Sequence, residues 1–378
     1  MPKFKVFGGD TISCLDNVNK AIIPTNMLLD MMKLYRFSGK DSYYNEIFSK
    51  DINAYRNVNI VEEVFYFAKI MELDITDERL KLLAKKDIVP KNNSEKIVNN
   101  LKNVFKLILY HVDQFDLFAN EVQDLGNTLF NDVCKVKFVT EITKEKSAFQ
   151  STKIKKEYSI ILQGLFDRFK SLYKSKDYEV SLLITSFFID FVNYKVFEET
   201  NNYKINDYLG YLVLYILLFK YEFEVFNYKS FFKQVYENMK TFHTVIAQCS
   251  FNWNTGFSNP TLVHEFVVDR LLECYDLVEG EMFKTKHMRD NKFSKNLEIE
   301  ITISHFPGDT FTKGDIQKMH PNVSAKTIER TLERLQSEGK IEALGTGRSA
   351  KWMKKFKLQS GFEYDTVQFN LGFEEEKK

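Results

Sequence analysis

The chain has 378 residues, 44% of them hydrophobic and 28% charged, with 53 Lys and Arg against 52 Asp and Glu for a net charge of +1. That is the composition of an ordinary globular protein, long enough to bury a core in two or three domains. The longest apolar run, YLGYLVLYILLF, falls short of the roughly 20 residues of a membrane span, and the four cysteines, Cys14, Cys134, Cys249 and Cys274, have no CxxC spacing, so membrane, zinc-site and disulfide-framework classes are excluded.

The first residues, MPKFKVFGGD, are followed by mixed polar sequence rather than an apolar signal segment, and a cytoplasmic location is expected. Residues 1–93 read as a helical subdomain that breaks at KKDIVPKNNSEK, around Pro90. Residues 94–280 form a middle domain. Ser94 is expected to cap the helix of IVNNLKNVFKLILYHV, and another helix follows over about 120–130. Alternation over 136–142 marks the best strand candidate. IKKEYSIILQGLFDRFKSLY and EVSLLITSFFIDFV come next, then a polar loop at 198–207, then the apolar run already noted, giving two buried helices about one polar loop. Ser230 is expected to cap FFKQVYENMKTFHTVIAQ, and PTLVHEFVVDRLLECYDLV is a further helix. The charged residues 281–297 read as a linker and the acidic residues 359–378 as a frayed tail. The histidines, His111, His243, His264, His287, His305 and His320, are scattered and read as surface or satisfied core residues.

Within 298–358 the pattern is helix, short helix, turn, longer helix and two strands around GTGRS, the order of a winged helix. Thr312 caps GDIQKM, and Ser324 caps AKTIERTLERLQSEG, which stops at Gly339. On the longer helix Ile328, Leu332 and Leu335 form the inward stripe. Lys326, Arg330 and Arg334, with Thr327 and Thr331 beside them, form an outward basic, hydroxyl-bearing face. Residues 312–357 hold eleven Lys and Arg against five Asp and Glu, a net of +6 in a chain of +1. Such a patch attracts phosphate backbones, and Arg and Thr on a recognition helix can read base edges, with Arg348 and Lys351 of the wing reaching a phosphate. The bland alternatives are a solvated face or a protein-docking module.

VSAKTIERTLERLQSEGKIEALGTGRSAKW resembles the winged helix that ends many bacterial Fic family proteins. The loop between the two most buried helices, KVFEETNNYKIN, resembles in position the Fic motif HPFx(D/E)GNGRxxR. With the motif's Phe on Phe197, its His falls on Lys195, its acid on Glu199, its Asn on Asn201, its glycines on Thr200 and Asn202, and its arginines on Tyr203 and Asn206. The resemblance extends over about 96–280 and includes a flap hairpin near 136–142. It implies a mainly α fold: a helical Fic (Fido)-like core with a small β-hairpin, plus a C-terminal winged helix-turn-helix. It also implies nucleotide binding at Lys195, Phe197, Glu199, Thr200, Asn201 and Asn202, Glu199 as the metal position, and ATP and Mg²⁺ as cofactors if the loop still works.

The residues present argue against full activity. A lysine makes a poor general base unless strongly desolvated, β-branched Thr200 resists the positive φ of a phosphate-cradling glycine, and the forked Arg donors are gone. Glu199 and Asn201 have a plainer role available, capping the helix that starts near Ile205. The expected function is a DNA-binding or partner-binding regulator with impaired nucleotidyl transfer, using Lys326, Thr327, Arg330, Thr331 and Arg334 on DNA. The alternatives are an active adenylyltransferase moving AMP from ATP to a protein hydroxyl, and a purely structural adaptor.

Overall fold

A computed structural model of the chain describes residues 3–5, 11–13, 15–49, 52–146, 151–200, 202–289, 295–304, 306, 310–321, 323–345 and 350–355. Asn201, Arg348 and the acidic tail 359–378 lie outside the described residues. The chain forms two compact units, Met1–Phe283 and Lys284–Lys378.

The first unit opens with a short hairpin, β1 (Lys3–Lys5) and β2 (Thr11–Ser13). Helices α1 (Thr25–Ser38), α2 (Asp41–Phe48), α3 (Ile52–Ile70), α4 (Asp77–Lys85), α5 (Asn93–His111) and α6 (Ala119–Leu129) follow. An antiparallel hairpin of β3 (Thr140–Lys146) and β4 (Ser151–Glu157) leads into α7 (Ser159–Ser175), α8 (Val180–Tyr194) and α9 (Ile205–Tyr221). The unit closes with α10 (Phe231–Glu237), α11 (Met239–Cys249) and α12 (Thr261–Arg289) as far as Phe283.

One apolar core runs through this unit, from Leu34 and Phe67 to Phe187, Tyr215 and Tyr275, so the polar stretch around Pro90 does not divide the unit. α8 and α9 are buried on almost every face, which is why they read as continuous apolar runs without an amphipathic stripe. They approach closely at Gly210, where an added Cβ would stand 2.8 Å from Val192 Cγ1.

Buried carboxylates hold helix starts in place. Glu63 of α3 accepts from Ser230 Oγ at 2.7 Å and from the Phe231 and Phe232 amides at 2.9 and 3.0 Å, capping α10 from outside. Asp190 of α8 accepts the Leu15 amide at 2.7 Å, Asn17 Nδ2 at 3.1 Å and Trp253 Nε1 at 2.8 Å, tying two distant segments to one helix.

Four expectations need correction. The strand expected over 136–142 begins at Thr140 and belongs to a longer hairpin, whose second strand, Ser151–Glu157, was not anticipated. The cap of α5 is Asn92, whose Oδ1 accepts the Glu95 amide at 2.9 Å, rather than Ser94. The residues read as linker are helical up to Arg289, because α12 continues through them. The hairpin of β1 and β2 was not anticipated.

In the second unit, α13 (Lys295–Ser304), β5 (Thr310–Thr312), α14 (Lys313–Met319), α15 (Ala325–Ser337), β6 (Ile341–Ala343) and β7 (Lys351–Lys354) surround a core of their own. The three strands are antiparallel in the order β5, β7, β6. Ile299, Ile303, Phe311, Ile316, Ile328, Leu332 and Leu335 fill the space between the helices and the sheet. Thr312 and Ser324 cap α14 and α15 as expected, accepting from the Asp315 amide at 3.2 Å and the Thr327 amide at 3.1 Å. Gly339 follows α15 at φ 70, the left-handed conformation glycine adopts without strain. Among the described residues no helix is long and apolar enough to cross a membrane, and Cys134, Cys249 and Cys274 are free thiols.

Candidate functional site

The polar loop between α8 and α9 is built from both of its ends. α8 stops at Lys195, an exposed residue at φ 46, and this left-handed turn swings the chain out of the helix. The next residues run extended beside 137–139. The Val139 amide donates to Val196 O and the Glu198 amide to Lys137 O, both at 2.9 Å. Phe138 and Phe197 form a bridge with rings stacked at 4.7 Å, so Phe197 is only 1% exposed, covered by the chain that leads into β3.

Asn206, in the first turn of α9, fixes the loop from the other side. Its Oδ1 accepts the Phe197 amide at 2.9 Å and its Nδ2 donates to Phe197 O at 2.8 Å, so one side chain satisfies both polar groups of a buried residue. Nδ2 also donates to Glu199 Oε1 at 2.7 Å. Glu199 Oε2 accepts the Ile205 amide at 2.7 Å and Oε1 the Asn206 amide at 3.2 Å. Glu199 therefore caps α9, placing its carboxylate where the helix's free amides and dipole favour an anion. Thr200 Oγ1 accepts the Tyr203 amide at 3.0 Å and closes the turn between them, while Asn202 is exposed.

The donor set does not fit the implied Mg²⁺. Both oxygens of Glu199 are engaged by α9, and among the described residues no cluster of three or more His, Cys, Asp or Glu is arranged to hold a metal ion. The amides of α9 that would cradle a phosphate already hold the chain's own carboxylate. Lys195, Phe197, Glu199, Thr200 and Asn202 are brought together as one loop, with Phe197 turned inward and the others at the surface.

A small cavity of about 20 Å³ adjoins the first turns of α9, lined by Glu72, Lys204, Asp207, Tyr208, Tyr211 and His243 among others. Burial, and then the nearby charge of Glu199, raise the Asp207 carboxyl above its ordinary range. Burial, helped by Glu72, pushes the Tyr208 hydroxyl up to about 12. His243 also borders an open groove of about 620 Å³ along α11, with Thr244, Ala247, Gln248 and Phe251. No spacing in the sequence singled out His243, because its neighbours come from α3, α9 and α11.

In the second unit α15 presents Lys326 and Arg330 outward. Both are exposed, and among the described residues neither has an acidic partner. Thr327 is half-buried, its hydroxyl 2.8 Å from that of Ser324. Thr331 must be corrected: it is 1% exposed and its hydroxyl donates to Asn296 Oδ1 at 3.0 Å and Thr327 O at 2.9 Å, because that flank of α15 faces α13. Arg334 is 41% exposed but ion-paired with Glu300 and Glu338. Lys340 binds the same two acids, at 2.6 and 2.9 Å. Glu300 stood outside the stretch whose charges sum to +6, so the basic face is smaller than the sequence implied. Lys351, on β7, is exposed.

No protein-family model matches the chain, and no curated protein matches it. Its structure is similar to that of a Fic family protein from Desulfovibrio desulfuricans, with a TM-score of 0.49 and 12% identity over 87% of this chain and 97% of that one. It is also similar to a Fic domain containing signaling protein from Bacteroides thetaiotaomicron, with a TM-score of 0.47 and 12% identity over 65% of this chain and 98% of that one.

Proposed function

We propose that the chain is a Fic-like regulator whose α8–α9 loop has lost nucleotidyl transfer and whose C-terminal unit, read as a winged helix, binds DNA through α15. The observation that carries this reading is the contrast between two sites. Lys326 and Arg330 stand exposed on one helix face with no acidic partner among the described residues, whereas Glu199 is spent on the start of α9. Cations four residues apart lie on one face of a helix, where they can attract phosphates and, for Arg, reach base edges. Lys351, on β7, is a further exposed cation of this unit.

The test is DNA binding by the full-length chain at graded salt. Binding that weakens as salt rises and is lost in Lys326→Glu/Arg330→Glu supports the reading; no affinity at low salt removes it. The groove beside His243 favours a second reading, an AMP transferase acting on a protein hydroxyl, in which Glu199 must first release the amides of α9. Transfer of label from ATP to a protein by the wild type, absent in Glu199→Ala, would establish that reading over the first.

A further inference from the structure

We propose that Glu300 is an internal competitor for DNA, holding Arg334 and Lys340 away from phosphate so that the wild-type chain engages DNA chiefly through Lys326 and Arg330. This rests on the DNA-binding reading of α15 and adds a regulator to it.

Glu300 projects from α13, which lies along one flank of α15, as the Thr331–Asn296 bond at 3.0 Å shows. Its Oε2 pairs with Arg334 Nη2 and its Oε1 with Lys340 Nζ. Glu338, at the end of α15, pairs with the same two cations through different oxygens. Two acids thus balance two bases at one end of the helix, while at the other end Lys326 and Arg330 face solvent. The helix is electrostatically divided: its N-terminal half is open to a polyanion and its C-terminal half is neutralised from within.

These pairs sit at the surface, with Arg334 and Lys340 side chains 41% and 44% exposed and that of Glu300 19% exposed. Exposed pairs are weakly held and screened by salt, so a phosphate placed beside Arg334 can displace Glu300. DNA must therefore compete with a carboxylate for half of the basic surface. Replacing Glu300 by Gln leaves one carboxylate for two cations and makes the unit one charge more positive.

The test measures binding of a labelled random-sequence duplex to the full-length chain across a salt series, with thermal unfolding of each variant as a control. Glu300→Gln is expected to bind at least about threefold more tightly at low salt, with a salt slope steeper by up to about two phosphates' worth. Arg334→Gln is expected to change affinity little in the wild-type background and to remove most of the gain in the Glu300→Gln background, a non-additivity that a purely structural ion pair does not produce. If the wild type binds and Glu300→Gln matches it in affinity and slope, this inference fails while the DNA-binding reading stands. The inference fails equally if Glu300→Gln loses stability with no gain in affinity. If neither protein binds, both fail together.

Discussion

At the scale of single residues, the buried carboxylates decide how the fold answers to pH. Burial pushes Asp190 up to about 7 against the pull of its bonds from Trp253 and Leu15. It also pushes Glu63 up to about 7 against Ser230 and the Phe231 and Phe232 amides. Both groups titrate near 4 in an unfolded chain, so from about pH 4 to 7 the folded state keeps protons that the unfolded state gives up. Their contribution is complete below about pH 4 and is lost as the pH rises through about 7. The unfolding free energy from urea titrations is expected to fall as the pH rises from about 4 to 7, by on the order of a few kcal/mol in total; a flat profile over that range contradicts the assignment. Such pairings were hidden in the sequence, because Asp190 meets partners at Leu15 and Trp253 that no local pattern connects. The loop was more legible. Phe197 does lie at the junction of α8 and α9, and the capping role open to Glu199 is the one it adopts. Asn206 was seen only as a position lacking an arginine, since its bonds to Phe197 depend on the chain folding back over nine residues.

Among the elements, the pairing of α8 and α9 has the least slack. A methyl group on Gly210 would stand 2.8 Å from Val192 Cγ1 and 3.2 Å from Phe191 Cδ1. Val192 is β-branched and stiff within its helix, so it cannot easily turn aside. Alanine improves helix propensity by about 1 kcal/mol, yet overpacking costs about 1–3 kcal/mol. Gly210→Ala is expected to be net destabilising by about 1 kcal/mol in chemical denaturation, and a more stable variant would show that the helices separate freely here. Most helices were readable because apolar spacing reports burial on one face or on all of them. The hairpin was not: β4, STKIKKE, has a single apolar residue and so lacks the apolar alternation that announces a strand in sequence. The end of α12 was missed for a related reason. EGEMFKTKHMR suits a helix by propensity but carries no apolar stripe to announce one.

For the molecule as a whole, two cores mean two cooperative units. Leu332 is buried in the smaller one. Truncating it to alanine is expected to cost about 2–5 kcal/mol there and, in calorimetry, to lower one transition while leaving that of Met1–Phe283 in place. A single transition shifted as a block would show that the units melt together. The order of elements in the second unit was legible because caps, stripe and terminal glycine agree along one short stretch, whereas its charge was misjudged because α13 supplies an acid from outside that stretch. The Asn206 staple has a consequence for how the larger unit can work. One amide side chain binds both the N–H and the C=O of Phe197 to the first turn of α9, so the chain leaving α8 can part from α9 here only by breaking both bonds and stranding two buried backbone groups.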